Sequence, residues 1–310
     1  MRILIYEHVT AGGLGERPAP SLLREGAAML RAVVEDFAAV ADVVVQVAPW
    51  FEANLPCETV RAPASAFRDS ARKTDAVLAI APEFDGILER LCIETQEAGP
   101  QWLGCTADAI RLTADKRTLG EWWLSRGVPT PRFADSPTEK PVIIKPRYGA
   151  GSQEMQRLDC LSNEQFRRTP DAFIVQEFVP GLSASVAFLC GSGGPLAMRP
   201  TEQTLSQDGT FQYLGGRVPL PSTLERRATD LGRRALGGIE GLQGWVGVDL
   251  VLGNSADDDR AIEINPRLTT SYVGMRKLSR TNLADAWLGI ARGERVEITW
   301  RDELVFFEAG

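Results

Sequence analysis

The chain has one histidine, His8, in 310 residues. A single imidazole cannot supply a multi-histidine zinc site, and it makes a Ser–His–Asp triad hard to build. Cysteine is sparse: five residues, at 57, 92, 105, 160 and 190, with no CxxC spacing among them. They read as reduced, mostly buried residues of a cytoplasmic protein. No apolar run approaches the ~20 residues of a membrane span, so a membrane partner is not expected. Residues 1–7, MRILIYE, are too short and too soon acidic for a signal peptide. Basic runs are missing too, and the net charge is -7, which argues against a nucleic-acid surface. Gly-Lys-Ser/Thr does not occur, which removes a phosphate P-loop, and Gly12-Gly13-x-Gly15 does not have the spacing of GxGxxG. Lysine itself is scarce. Five of the 34 basic residues are Lys, so the lysines at 116 and 145 stand out in a chain that nearly always uses Arg. Lysine is the compact point charge that a phosphate accepts where a planar guanidinium does not fit.

With 44% hydrophobic residues, the chain is long enough for two or three packed subdomains. In the first third, apolar strands at 2–6, 43–47 and 76–80 alternate with helices. One helix spans 21–40, with Ser21 as its cap and Leu22, Met29, Leu30, Val33, Val34 and Phe37 near helical period; another spans 86–97. This alternation predicts a parallel sheet with helices on both faces. Glu7 and His8 end the first strand, where open α/β sheets bind ligands. His8 reads as an ordinary loop residue, whereas the Glu7 carboxylate can hold a substrate ammonium.

In the middle, Asp115 caps a helix that begins at Lys116 and ends at Gly127, a natural left-handed C′ residue. An apolar strand, 141–146, carries Lys145 at its end. The loop of Gly149, Ala150, Gly151 and Ser152 follows, in which glycines let backbone N–H groups approach phosphate oxygens. Read alone, that loop is equally a hairpin turn. A further strand, 173–181, contains Gln176, Glu177, Phe178 and Val179 and ends like an interdomain hinge, with backbone groups able to pair with a purine edge.

The last third reads as antiparallel strands, a helix over 224–236, and a hairpin of 247–252 with 261–265. Alternation places Asp249, Glu263 and Asn265 on one polar face, and Pro266 stops the strand. An exposed acidic hairpin face is one reading. Oxygen ligands at strand spacing also suit Mg²⁺, and Arg267 just beyond them can reach a phosphoryl oxygen. Arg217 reads either as a solvent-exposed residue or as a partner for a substrate carboxylate. Thr269, Thr270, Ser271 and Tyr272 help to bound an acceptor site, and Thr270 and Ser271 are candidate substrate contacts.

Lys116 at an Ala-Asp-Lys helix start, Gly127-Val128-Pro129-Thr130-Pro131, Lys145 before the glycine loop, Gln176-Glu177-Phe178-Val179 and Glu263-x-Asn265-Pro266-Arg267 together resemble the ATP-grasp superfamily. The resemblance covers residues 105 to about 275. It implies an α/β (α+β) architecture, an ATP-grasp fold behind an N-terminal open parallel-sheet pre-ATP-grasp domain. The expected units are 1–105, an N-terminal lobe with the Gly-rich loop at 106–182, and a C-terminal lobe with the metal site at 183–310. It implies ATP as the nucleotide, with Lys116 and Lys145 on the α- and β-phosphates and the 149–152 loop over the γ-phosphate. It also implies that Glu177 and Val179 line the adenine slot, with Gln176 and Phe178 in the same stretch. Asp249, Glu263 and Asn265 would bind one or two Mg²⁺, Mn²⁺ being the alternative, and Lys145 and Arg267 would be catalytic. Many members carry an acidic ribose ligand where this chain has Ser183, which can make a weaker contact. The implied reaction is carboxylate–amine ligation through an acyl phosphate, with small-molecule carboxylate and amine as partners; a homodimer stays open. Glu7, Leu23-x-Glu25-Gly26 with Asp36-Phe37, and the run 265–275 resemble more narrowly the tyramine–glutamate ligase type of methanofuran-like cofactor synthesis. The alternatives are an amino-acid or peptide ligase with other substrates and a nucleotide-binding module without turnover. Intact Asp249, Glu263, Asn265 and Arg267 argue against the latter.

Overall fold

The computed structural model describes residues 1–15, 18–149 and 154–308. The front domain consists of β1 (Arg2–Glu7), α1 (Pro20–Ala38), β2 (Asp42–Val47), β3 (Glu58–Arg61), α2 (Phe67–Ala71), β4 (Ala76–Ile80), α3 (Ile87–Ala98) and β5 (Gln101–Trp102). Its strands form one parallel sheet in the order β3-β2-β1-β4-β5. Central strands buried on both faces need continuous apolar runs, and Ile3, Leu4, Ile5, Val43, Val45 and Leu78 supply them. The helix expected from a Ser21 cap starts one residue earlier. Pro20 occupies its first turn and Ala19 makes no side-chain cap, because the fixed φ of proline already suits a helix start.

Two helices, α4 (Ala107–Ala114) and α5 (Lys116–Ser125), lead into a small antiparallel sheet of β6 (Val142–Pro146), β7 (Gln156–Leu158) and β8 (Phe173–Glu177), ordered β7-β6-β8 and flanked by α6 (Asn163–Arg168). Asp115 caps α5 as expected, accepting from the backbone N–H groups of Arg117 and Thr118. Gly127 follows that helix at φ +67, a left-handed conformation that suits glycine.

The remaining chain forms β9 (Leu182–Cys190), β10 (Leu196–Ala197), β11 (Thr201–Leu205), β12 (Tyr213–Val218), α7 (Ser222–Leu236), β13 (Gly244–Leu252), β14 (Arg260–Asn265), α8 (Tyr272–Leu278), α9 (Leu283–Ala291) and β15 (Val305–Glu308). The large sheet is antiparallel in the order β14-β13-β9-β11-β12-β15, with β10 beside β9. α8, which the sequence did not reveal, packs against α1 of the front domain. All five cysteines are free, and those at 92, 105 and 190 are buried. Among the described residues, no helix is long and apolar enough to cross a membrane.

His8 is buried rather than a loose loop residue. Its ring lies beside the Tyr6 hydroxyl, 3.4 Å from Nδ1, and Nε2 has no hydrogen-bond partner. Burial pushes its pKa down to about 4. The neutral form therefore favours the fold, and the stability it brings is complete above its unfolded value of about 6.5. That stability is lost as pH falls through about 4. The linkage amounts to about 3 kcal/mol. We expect urea unfolding at pH 7 and pH 4 to show wild type losing about that much more stability than His8→Gln; equal losses would contradict it.

Candidate active site

β13 and β14 carry the floor of the site. Their register sets Asp249 opposite Glu263 and Gly247 opposite Asn265, so the three expected donors do share one face. Asn265 Nδ2 donates to Asp249 Oδ2 at 3.0 Å, and Gln203 Nε2 donates to Asp249 Oδ1 at 2.9 Å. Gln203 lies on β11 and was not foreseen, since a glutamine in an unassigned strand carries no spacing signal. The two carboxyls stand opposite each other across the strand pair, close enough for each charge to act on the other. Burial and the Glu263 charge raise the pKa of Asp249. Burial works in the same direction on Glu263, but Lys116 and Lys145 outweigh it and keep that residue ionised.

The lysines come from two elements. Lys145, on β6, is 4% exposed, and burial is the main reason its pKa drops to about 8. The Glu263 and Asp249 charges favour its protonated form, while Lys116 opposes it. Lys116 opens α5; its Nζ lies 3.5 Å from Glu263 Oε2 and donates to the Gly149 carbonyl at 2.7 Å. Asp115 sets this position by accepting from Arg147 Nε and Nη2 at 2.7 and 2.6 Å and from the Tyr148 hydroxyl at 2.9 Å. The helix cap thus doubles as a clamp on the strand end beyond Lys145. Of the expected glycine loop only Gly149 is described; Ala150, Gly151 and Ser152 lie outside the described residues.

A cleft of about 430 Å³ opens above this floor. Lys145, Asp249, Glu263, Asn265 and Arg267 line it. The expected adenine residues Gln176, Glu177, Phe178 and Val179 and the expected ribose contact Ser183 line it as well. Arg157 lies over the Phe178 ring at 4.3 Å, and Phe211 stands 6.4 Å from it. The Glu177 carboxylate accepts the Arg132 backbone N–H, and the N–H groups of Glu177 and Phe178 go to the Arg132 and Pro141 carbonyls. Val179 is the member of that stretch without such a backbone bond among the described residues.

Arg267 does not stand free. Its Nε and Nη2 donate to Glu83 of the front domain at 2.8 and 3.4 Å, and Nη1 donates to the Leu268 carbonyl at 3.3 Å. Thr270 and Ser271 line the cleft. The Thr270 hydroxyl donates to Glu25 Oε1 at 2.5 Å, and the Ser271 and Thr269 hydroxyls lie 2.9 Å apart. Glu25 also lines the cleft. A signal for it exists in the sequence, because an acid four residues before Met29 falls on the apolar side of α1.

Two expected substrate residues lie elsewhere. Glu7 is 2% exposed, accepts the N–H groups of Val9 and Thr10 at 3.1 and 2.8 Å, and does not reach the cleft. Burial pushes its carboxyl up. Gly26 of α1 packs onto it so closely that a Cβ there would sit 2.7 Å from Oε2. Arg217 pairs with Glu202 across β11 and β12, 2.7 Å from Nε to Oε2. Glu202 precedes the cleft-lining Gln203, so strand alternation turns this pair to the other face of the sheet. Of the tyrosines, Tyr213 lines the cleft. Tyr6 and Tyr272 are core residues, and the Tyr272 hydroxyl is spent on Asp36 at 2.7 Å.

Residues 113–271 match the ATP-grasp domain family and residues 52–110 match the pre ATP-grasp 3 domain. The chain is 26% identical over 313 aligned positions to the tyramine–L-glutamate ligase of Methanocaldococcus jannaschii, covering 97% of this chain and 92% of that one. It is 31% identical over 234 positions to the tyramine–L-glutamate ligase of Methanocaldococcus fervens, covering 74% and 70% respectively. A crystal structure of an Archaeoglobus fulgidus protein assigned to the ATP-grasp superfamily superposes with a TM-score of 0.78 at 26% identity, covering 99% of this chain and 98% of that one.

The Arg267–Glu83 pair is nearly buried, with side chains 13% and 5% exposed. Removing one partner of such a pair leaves an uncompensated charge, at a cost of about 3–5 kcal/mol. We expect Glu83→Ala to lose that much in urea unfolding, and Glu83→Ala/Arg267→Met to recover a large part of it. A loss under about 1 kcal/mol in the single variant would place the pair among weak surface bridges.

Proposed function

Since the chain belongs to the ATP-grasp family and is an ATP-dependent ligase, we propose that it joins glutamate to a primary aromatic amine such as tyramine through an acyl phosphate. The γ-phosphoryl group of ATP passes to a carboxylate oxygen of the substrate, releasing ADP. The amine then attacks the acyl carbon, and phosphate leaves as the amide forms. The observation that carries this reading is the floor of the cleft, where two lysines face two opposed carboxyls beside an arginine, with no nucleophile–base pair among them. Phosphoryl transfer asks for positioning and charge stabilisation rather than a covalent protein intermediate.

The roles follow the geometry. Lys145 and Lys116 hold the α- and β-phosphates as neighbouring point charges. Arg267 has three of its five N–H donors engaged by Glu83 and the Leu268 carbonyl, which leaves two to turn toward a phosphoryl oxygen. The ring of Phe178, the backbone at Val179 and the side chain of Gln176 frame the adenine, and Ser183 stands at the ribose.

The donor set fits a hard divalent cation. Asp249, Glu263 and the carbonyl oxygen of Asn265 are oxygen ligands, and such a cation would relieve the repulsion between the two opposed carboxyls. Among the described residues no group of three His, Cys, Asp or Glu could hold a metal alone. That suits Mg²⁺ or Mn²⁺ bound by two carboxylates together with nucleotide phosphates and water. Bound there, the ion would neutralise charge on the phosphoryl oxygens.

The amide product is the direct readout. Mass spectrometry of a reaction with ATP, Mg²⁺, glutamate and tyramine should show a glutamyl amide formed together with ADP. Glu263→Gln should form it at least on the order of 100-fold more slowly while melting like wild type. No glutamyl amide, with ADP released on another amino acid, would leave the ligase class and remove the substrates. Near-wild-type turnover of Glu263→Gln at saturating Mg²⁺ would remove the metal assignment.

A further inference from the structure

The proposed chemistry leaves one carboxylate of the cleft unused. Glu25 enters from α1 of the front domain, lines the cleft and is half-buried. The other acids around the cleft are matched: Glu263 by Lys116, Glu83 by Arg267, Asp249 by Gln203 and Asn265, and Glu177 by the backbone N–H of Arg132. Further along α1, Asp36 is matched by Arg276, 2.7 Å from Nη2 to Oδ1. Among the described residues, the partner of Glu25 is a neutral hydroxyl, that of Thr270. Arg267 feels its charge, but among the described residues its guanidinium donates to Glu83 and the Leu268 carbonyl and makes no ion pair with Glu25. A carboxylate oriented by a hydroxyl, facing an open cleft and, among the described residues, paired with no cation, is the chemistry that receives a cationic group.

We infer that Glu25 anchors a substrate ammonium group in the cleft. This rests on the ligase reading and adds a residue to it. The role is the one that the sequence suggested for Glu7, whose carboxylate the fold uses instead to close its own loop. Thr270 positions Glu25: it holds one carboxylate oxygen and leaves the remaining acceptor sites to the ligand. Two groups of the proposed reaction carry the required charge, the α-ammonium of the amino acid and the amine acceptor before it sheds its proton.

Glutarate, which is glutamate without its amino group, separates the two sources. Calorimetric binding of glutamate and glutarate, and initial rates with ATP, glutamate and tyramine varied in turn, are compared for wild type, Glu25→Gln and Thr270→Val. Loss of one charge-assisted hydrogen bond corresponds to on the order of 10- to 100-fold in affinity. If Glu25 holds the amino acid, wild type prefers glutamate to glutarate by that factor, and Glu25→Gln abolishes the preference. If it holds the acceptor, the preference survives and the KM for tyramine rises by that factor. In either case the KM for ATP moves far less, and Thr270→Val keeps most of the discrimination because the carboxylate remains.

Three results would overturn the inference. One is that Glu25→Gln leaves both the preference and the tyramine KM unchanged. Another is that it raises all three KM values together. The third is that Thr270→Val reproduces every effect of Glu25→Gln, which would make Glu25 a support for Thr270 alone. If wild type forms no glutamyl amide, the proposed substrates fail independently. The Glu25→Gln comparison then runs on the amino acid that supports ADP release, against its own des-amino counterpart.

Discussion

Two carboxyls set opposite each other on neighbouring strands, Asp249 and Glu263, repel once both are ionised, and the walls of the cleft answer that repulsion. Lys116 and Lys145 approach from the small sheet and its preceding helix, and Gln203 and Asn265 donate from the large sheet. A lysine as buried as Lys145 would shed its proton readily without those charges beside it. The acids and the lysines therefore depend on each other. A nucleotide with its divalent cation would set a further positive charge against the two carboxyls and bring phosphates to the lysines.

A second constraint ties this floor to the front domain. The segment after β14 is held to the front domain by a series of polar contacts: Arg267 to Glu83, Thr270 to Glu25, and Tyr272 and Arg276 to Asp36. Glu25 and Asp36 lie eleven residues apart, about three helical turns, so a single face of α1 meets the segment from Thr270 to Arg276. The cleft is thereby walled by two domains at once, and the front domain contributes Glu25 to it directly.

The sequence made the chemistry of the floor legible because strand alternation is local. Asp249, Glu263 and Asn265 must share a face if the hairpin forms, and Pro266 marks where it ends. The lysines were legible because the chain uses so few. Contacts between distant elements were not. Glu7 and Glu25 are both acids near the cleft-facing end of the front domain, and only the packing of Gly26 on Glu7 and of Thr270 on Glu25 tells which carboxylate is consumed and which is free. Arg217 was misplaced for a related reason: its face depends on the pairing of β12 with β11, a strand with no clear pattern. α8 was missed because a short helix directly after the site residues reads as loop.

The central claim, activation of a carboxylate by phosphoryl transfer, has an atom-level test. Glutamate labelled with ¹⁸O in both carboxylates, turned over with ATP and the amine, should deliver one labelled oxygen to inorganic phosphate for each amide formed, because the acyl phosphate breaks with that oxygen on phosphorus. Label found in AMP, or absent from phosphate while amide accumulates, would contradict the account.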